Sequence, residues 1–226
     1  MNGKELITAI DKKISERSIL KHSFYQSWRG GKLTRQMLQL YAKQYYKHVA
    51  AFPQYLSAIH SKIDDVSDRK LVLQNLMDEE YGEDNHPELW LRFGEALGIT
   101  REEIKKEPAS EETISFVNCF MSVTSQKSPA EGIAALYAYE SQIPDVSEEK
   151  IKGLVDFYGV STQEGLEYFK VHIKADIEHS KAERELIAKY ASDEETQKNV
   201  LDAVDHTLDA YWKMLSGIQK ECKGNC

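Results

Sequence analysis

The chain has 226 residues, of which 41% are apolar and 29% charged, with a formal net charge of −8, which suits one globular domain over 1–226. No Lys/Arg cluster stands free of nearby acids, and no apolar run approaches the roughly 20 residues of a membrane span, so nucleic acid and the bilayer are both poor partners. The opening MNGKELITAIDKKISER is charged where a signal peptide is apolar, and Cys119, Cys222 and Cys226 are too sparse for a disulfide framework, so the expected compartment is the cytoplasm.

Almost every segment has the three- and four-residue apolar spacing of a helix. In chain order the runs are 6–20, 37–63, 70–82, 112–123, 130–141, 150–160, 165–191 and 196–218. Start signals stand at Thr34, Asp64, Thr100, Ser110, Ser128 before Pro129, Ser147 and Ser161 before Thr162. Gly30-Gly31, YGEDNHP and GITREE read as turns, and Pro53 should kink the helix that contains it. No run alternates with the period of a strand. The fold expected from this pattern is an all-α bundle of eight or nine helices.

The stretch HIKADIEH places His172, Asp176 and His179 at i, i+4 and i+7. At about 100° per residue these side chains fall within roughly 60° of one another on one helix face. Opposite charges at that spacing would be a salt-bridge ladder, but two imidazoles around a carboxylate are not one; they read either as a polar helix face or as three ligands of a metal site, and the rest of the chain decides between them. Other helices supply more ligand types. LMDEEYGEDNH offers Glu79 and His86, with Gly82 and Asn85 between them allowing a local break. AALYAYES offers Glu140, whose i−3 and i−4 neighbours are Tyr137 and Leu136. A carboxylate on such an apolar face is costly unless it is paired or coordinated.

Three imidazoles and three carboxylates suit two iron or manganese ions, and the absence of thiolates argues against structural zinc or an iron–sulfur cluster. The paired Glu-x-x-His motifs of ferritin-like bundles are missing, which points to a different helical scaffold. His22, His48, His60 and His206 occur singly and read as packing or surface residues. Tyr41, Tyr45, Tyr46, Tyr137 and Tyr139 form an aromatic stripe of the kind that usually builds a core, and Tyr25 lies in HSFYQSW. Cys119 in FVNCFM reads as a small core residue, and the terminal ECKGNC as a frayed tail with two incidental thiols.

Taken together, HSFYQSW, LYAKQYYKHVAAFPQYLSAIHS, NLMDEEYGEDNH, AALYAYESQIP, EKIKGL and YFKVHIKADIEHSKAERE closely resemble the CADD-like heme-oxygenase-like diiron oxidases, a family named for a chlamydial death-domain-associating protein. The PQQ-biosynthesis oxidase PqqC and the thiamin-salvage enzyme TenA are its relatives in fold. The resemblance spans residues 5 to 190 and weakens over the last helix. It implies a heme-oxygenase-like bundle of seven to nine helices, a homodimer, and a dinuclear Fe/Fe or Mn/Fe centre that uses O2 and an external reductant. The implied ligands are Glu79, His86, Glu140, His172, Asp176 and His179.

The implied reaction makes 4-aminobenzoate, a folate precursor, from the protein's own side chains. Tyr25 is the implied source of the ring and Lys150 in EKIKGL the implied amino donor, with Lys152 its near neighbour. Tyr139 and Tyr41 are candidate radical relays. Three alternatives stand beside this one. A diiron oxygenase acting on an external small molecule would share the ligands. A TenA-like hydrolase would need a nucleophilic cysteine, for which Cys119 is poorly suited. A binder of a host death-domain protein, secreted by an intracellular bacterium, has no motif to support it.

Overall fold

The computed structural model describes residues 1–224, with side chains through residue 221. The reading of the tail thiols, Cys222 and Cys226, lies outside the described side chains. Eleven α-helices follow one another: α1 (Gly3–Glu16), α2 (Ser23–Arg29), α3 (Arg35–His60), α4 (Val66–Glu80), α5 (His86–Ala96), α6 (Arg101–Lys106), α7 (Glu111–Gln126), α8 (Pro129–Glu140), α9 (Ile143–Phe157), α10 (Gln163–Tyr190) and α11 (Glu194–Gly224). The all-α class is as expected. The count exceeds seven to nine because the eight apolar runs leave out α2, α5 and α6, which are helices of only 7, 11 and 6 residues.

Capping residues set most of the starts, because a side-chain oxygen at the N-cap satisfies an orphan backbone N–H. Thr34, Thr100, Ser110 and Ser128 act at the expected positions, and Thr100 and Ser128 form full capping boxes with Glu103 and Glu131. Two caps fall one residue later than expected, at Asp65 and Thr162. Ser147 is not a start. It is buried inside α9, which begins at Ile143 with a proline in its first turn. Proline suits that position because its missing N–H would be unpaired there anyway. Pro53 lies within α3, which is continuous from Arg35 to His60.

The core is organised around α8. Every residue from Ala130 to Glu140 is buried, so this helix has no solvent face. It lies against α7, α10 and α11, with α3 crossing nearby. A helix enclosed on all sides must consist of apolar or small residues, and α8 does, except where it presents Glu131 to its own cap and Glu140 to the interior. Among the described residues no helix is long and apolar enough to cross a membrane.

Candidate metal centre

Four helices bring the six predicted ligands inside. α4 carries Glu79 to its C-terminal end, where the chain turns at Gly82 with φ +86, a left-handed conformation that favours glycine. The Asn85 side chain then donates to the Gly82 carbonyl at 2.9 Å and accepts from the Glu88 N–H, starting α5 with His86 as its first residue. The helix therefore breaks between Glu79 and His86, and the break returns the imidazole to the carboxylate: Nδ1 of His86 lies 2.9 Å from Oε2 of Glu79. Glu140 ends α8, and α10 contributes His172, Asp176 and His179 from one stripe.

The six form two triads, Glu79–His86–His172 and Glu140–Asp176–His179. In each, the nearest ligand atoms all lie within 4.8 Å of one another and all three residues are buried. The imidazoles are held from outside. Nδ1 of His172 meets the Tyr168 carbonyl at 2.6 Å, which leaves Nε2 as the lone-pair nitrogen. Nε2 of His179 meets Asp78 at 3.0 Å, while its Nδ1 faces Glu140 and Asp176, each at 3.3 Å. Asn75 donates to Oε1 of Glu140 at 2.9 Å. Outer partners of this kind fix the tautomer and orientation of metal-ligating histidines.

The orphaned atoms test the fit to metal. Nδ1 of His86 and of His179, Oε2 of Glu140 and both oxygens of Asp176 are buried without a hydrogen-bond partner. Unpaired lone pairs on buried carboxylates cost several kcal/mol unless a cation meets them. Their acidities show the same frustration. Burial, aided by the charge of Glu140, pushes Asp176 up to about 7. Burial should depress His179, but the carboxylates of Asp176 and Glu140 facing it outweigh that and push the imidazole up to about 11. Burial and the neighbouring His86 drive His172 well below the usual range. Two divalent ions would meet these lone pairs, and the all-N/O donor set suits iron or manganese.

One narrow pocket joins the triads. Glu79, His172, Glu140 and Asp176 line it together with His48, Val49, Phe52, Tyr139 and Tyr168. Its free space, ≈ 10 Å³, holds about one water. Tyr139 begins a chain of buried phenols. Its hydroxyl is 2.6 Å from that of Tyr45, which is also 2.9 Å from that of Tyr211. The Tyr41 and Tyr45 ring centroids are 5.1 Å apart, and the Tyr41 hydroxyl is 3.3 Å from that of Tyr25. Tyr41, Tyr139 and Tyr25 thus stand in one connected network. Lys150 is buried beside them, its Nζ 5.0 Å from the Tyr45 ring centroid, 5.4 Å from that of Tyr41 and 5.7 Å from that of Tyr25. Burial lowers it to about 7. Lys152 is exposed.

Residues 10–217 match the model of the TENA/THI-4/PQQC family. The chain belongs to this family. It is 44% identical over 210 residues to a 4-aminobenzoate synthase of Chlamydia pneumoniae, covering 93% of each chain. It is 43% identical over 225 residues to a 4-aminobenzoate synthase of Nitrosomonas europaea, covering 96% of this chain and 92% of that one. A crystallised domain from Shewanella denitrificans, described as having a heme oxygenase-like fold, superposes with a TM-score of 0.82 at 14% identity, over 99% of this chain and 94% of that one. The fold is accordingly heme-oxygenase-like.

Within this TENA/THI-4/PQQC chain, Cys119 is partly buried on α7 and its thiol is pushed up by burial, so it is not poised as a nucleophile. Tyr137 leaves the aromatic network to donate to Asp11 at 2.6 Å. Sequence reasoning passed over several residues that the fold places at the centre. His48 is buried with both ring nitrogens unpartnered, ringed by aromatics and lining the pocket between the triads. Tyr168 and Tyr211 come from α10 and α11, and no local signal links them to Tyr139. Glu183 extends the α10 stripe one turn past His179, and spacing alone could have found it.

Proposed function

We propose that this protein is an oxygen-activating dinuclear-metal oxidase that makes 4-aminobenzoate from its own Tyr25, with Lys150 as amino donor. The observation that carries the proposal is one enclosed unit. Two buried ligand triads share a pocket whose wall includes Tyr139, and Tyr139 begins the phenol network that reaches Tyr25 beside Lys150. The similarity to 4-aminobenzoate synthases over nearly the full length of both chains supports the product.

Glu79, His86 and His172 would hold one ion and Glu140, Asp176 and His179 the other, iron in both positions or manganese in one. When bound, the pair supplies an oxidant from O2 and electrons from an external reductant. The protein contributes placement and proton control. Burial pushes Tyr25 up to about 12 and raises Tyr41, Tyr45 and Tyr139 well above the usual phenol range, so these phenols are neutral and each must release a proton as it gives up an electron. Their mutual hydrogen bonds offer an acceptor for it. Tyr25 and the product share a para-substituted ring. The side-chain carbon must be oxidised to a carboxylate and severed from the backbone, and the ring oxygen must be exchanged for nitrogen. Lys150 suits the second task because burial leaves its amine partly neutral at pH 7; the new ring C–N bond requires that the phenol oxygen leave as water and that the Lys150 Cε–Nζ bond break, its carbon being oxidised at the expense of O2.

The pocket between the triads is too narrow for an external organic substrate, whereas a pocket of ≈ 500 Å³ that reaches Asn75 and His179 has the room for one, so product counting must separate the two readings. The deciding experiment loads the protein with iron and manganese, supplies O2 and reductant, and counts product per chain. A self-consuming protein stops at or below one, with ring carbon from labelled protein tyrosine. Repeated turnover with unlabelled carbon would sink the proposal in favour of an external substrate.

A further inference from the structure

Glu183 has no role in the six-ligand set, yet it is the most frustrated group beside it. It is 6% exposed, neither of its oxygens has a hydrogen-bond partner, and its carboxyl meets that of Glu140. Two buried carboxyls that face each other need either a shared proton or a cation between them. Glu183 nonetheless stands outside the tight Glu140–Asp176–His179 triad. It is adjacent to the site rather than part of it.

On its other side lies a wider pocket, ≈ 500 Å³ and open to solvent, walled by α3, α4, α8 and α10. This pocket reaches Asn75, His179 and Glu183 but none of Glu79, His86 and His172. Among the exposed charged residues on its wall are Asp78, Glu178 and Glu185 against Lys174 and Lys181, an acidic balance that favours cations. The narrow pocket between the triads is closed by His48, Phe52, Tyr139 and Tyr168 and gives an aquated ion no comparable route.

We propose that Glu183 is the loading ligand of the metal centre. A divalent cation enters through the outer pocket, is held first between Glu183 and Glu140, and then passes to Glu140, Asp176 and His179. Glu140 is the ligand common to both positions. The step is ligand exchange alone: carboxylate oxygens replace coordinated water, and nothing is oxidised or reduced. This inference rests on the proposed dinuclear centre.

The test mixes metal-free protein with Mn(II) without oxygen, follows the loss of the free-ion EPR signal with time, and measures bound metal at equilibrium. Glu183→Gln preserves the shape of the side chain and replaces a carboxylate ligand by a weakly ligating neutral amide. It is expected to slow loading about tenfold or more while still binding two ions per chain. Ala182→Phe, which narrows the outer pocket while leaving every carboxylate in the sequence, is expected to slow loading as well. Loading of Glu183→Gln at the wild-type rate overturns the inference, and so does a final count one ion short, which would make Glu183 a resident ligand. Wild-type protein that binds no manganese and no iron overturns the metal centre itself. Two ions with unchanged kinetics overturn only the loading role.

Discussion

The Lys150 amine nitrogen lies 5.7 Å from the centroid of the Tyr25 ring, and both residues are only 1% exposed. A primary amine is rarely buried among aromatic rings without a carboxylate, and among the described residues none forms an ion pair with it. Tyr25→Phe removes the phenol while keeping the ring packed, and Lys150→Met keeps the length of the side chain without its nitrogen. Each is expected to reduce 4-aminobenzoate formation on the order of a hundredfold or more while leaving two metal ions bound. Product quantitation by mass spectrometry, alongside metal analysis, checks both halves.

The lowered pKa of Lys150 also sets a pH dependence. Nitrogen forms a bond only when neutral, so product formation should rise between pH 6 and pH 8 with an inflection near the folded value of about 7. Stability follows the same residue. Between that value and the ordinary 10.5, the unfolded chain binds a proton that the folded chain does not. Stability therefore climbs with pH across the window, and the full penalty, on the order of 5 kcal/mol, applies at and below pH 7. Lys150→Met should raise Tm most at pH 6 and least above pH 10. A calorimetric pH series that finds no such trend would contradict the burial.

Much of this centre is legible along the chain, because metal ligands on helices obey helical periodicity. His172, Asp176 and His179 announce a common face, and Glu140 stands out as a charge inside an apolar helix. What the sequence cannot show is adjacency between helices. Tyr211 joins Tyr45 only because α11 lies along α3 and α8. His48 reads as a lone imidazole on an apolar helix until α7 and α8 place aromatic rings around it. The false start at Ser147 has a local cause, since its acid-rich neighbours imitate a capping box while Pro144 already sits in the first turn of α9.

Metal binding should stabilise the fold and release protons. The orphaned lone pairs of both triads lose their penalty when a cation meets them, and a ligand at a hundred times its Kd contributes about 2.7 kcal/mol. For a chain of this size, that corresponds to a Tm rise of roughly 5–10 °C, reversed by a chelator. His179 is held protonated, pushed up to about 11, and must give up a proton to ligate. Affinity should therefore weaken as pH falls. Titration calorimetry in buffers of different ionisation enthalpy reads the released protons directly.

Asp78 tests whether the outer support of His179 matters. Its carboxylate holds Nε2 at 3.0 Å while Nδ1 faces Glu140 and Asp176. Asp78→Ala frees the imidazole to rotate and should weaken metal binding about 10- to 100-fold. Asp78→Asn keeps a hydrogen-bonding group of the same shape and should lose less. Equal losses in the two variants would show that charge, rather than orientation, is what Asp78 supplies.

Gly153 separates the placement of Tyr25 from the metal centre. It faces Trp28 on α2, the helix that carries Tyr25, and a Cβ there would come within 2.5 Å of the indole. The indole is fixed by its hydrogen bond to the Lys150 carbonyl and by the Phe24 and Tyr41 rings, so it cannot simply swing aside. Gly153→Ala must therefore push α2 away from α9, at a cost of about 1–3 kcal/mol. The proposed metal ligands on α4, α5, α8 and α10 are not on either helix. The variant should bind two ions with ordinary affinity and yet lose most of its product, because Tyr25 has moved relative to Tyr41 and Lys150. Full product formation in a stably folded Gly153→Ala protein would show that the position of α2 does not limit the reaction.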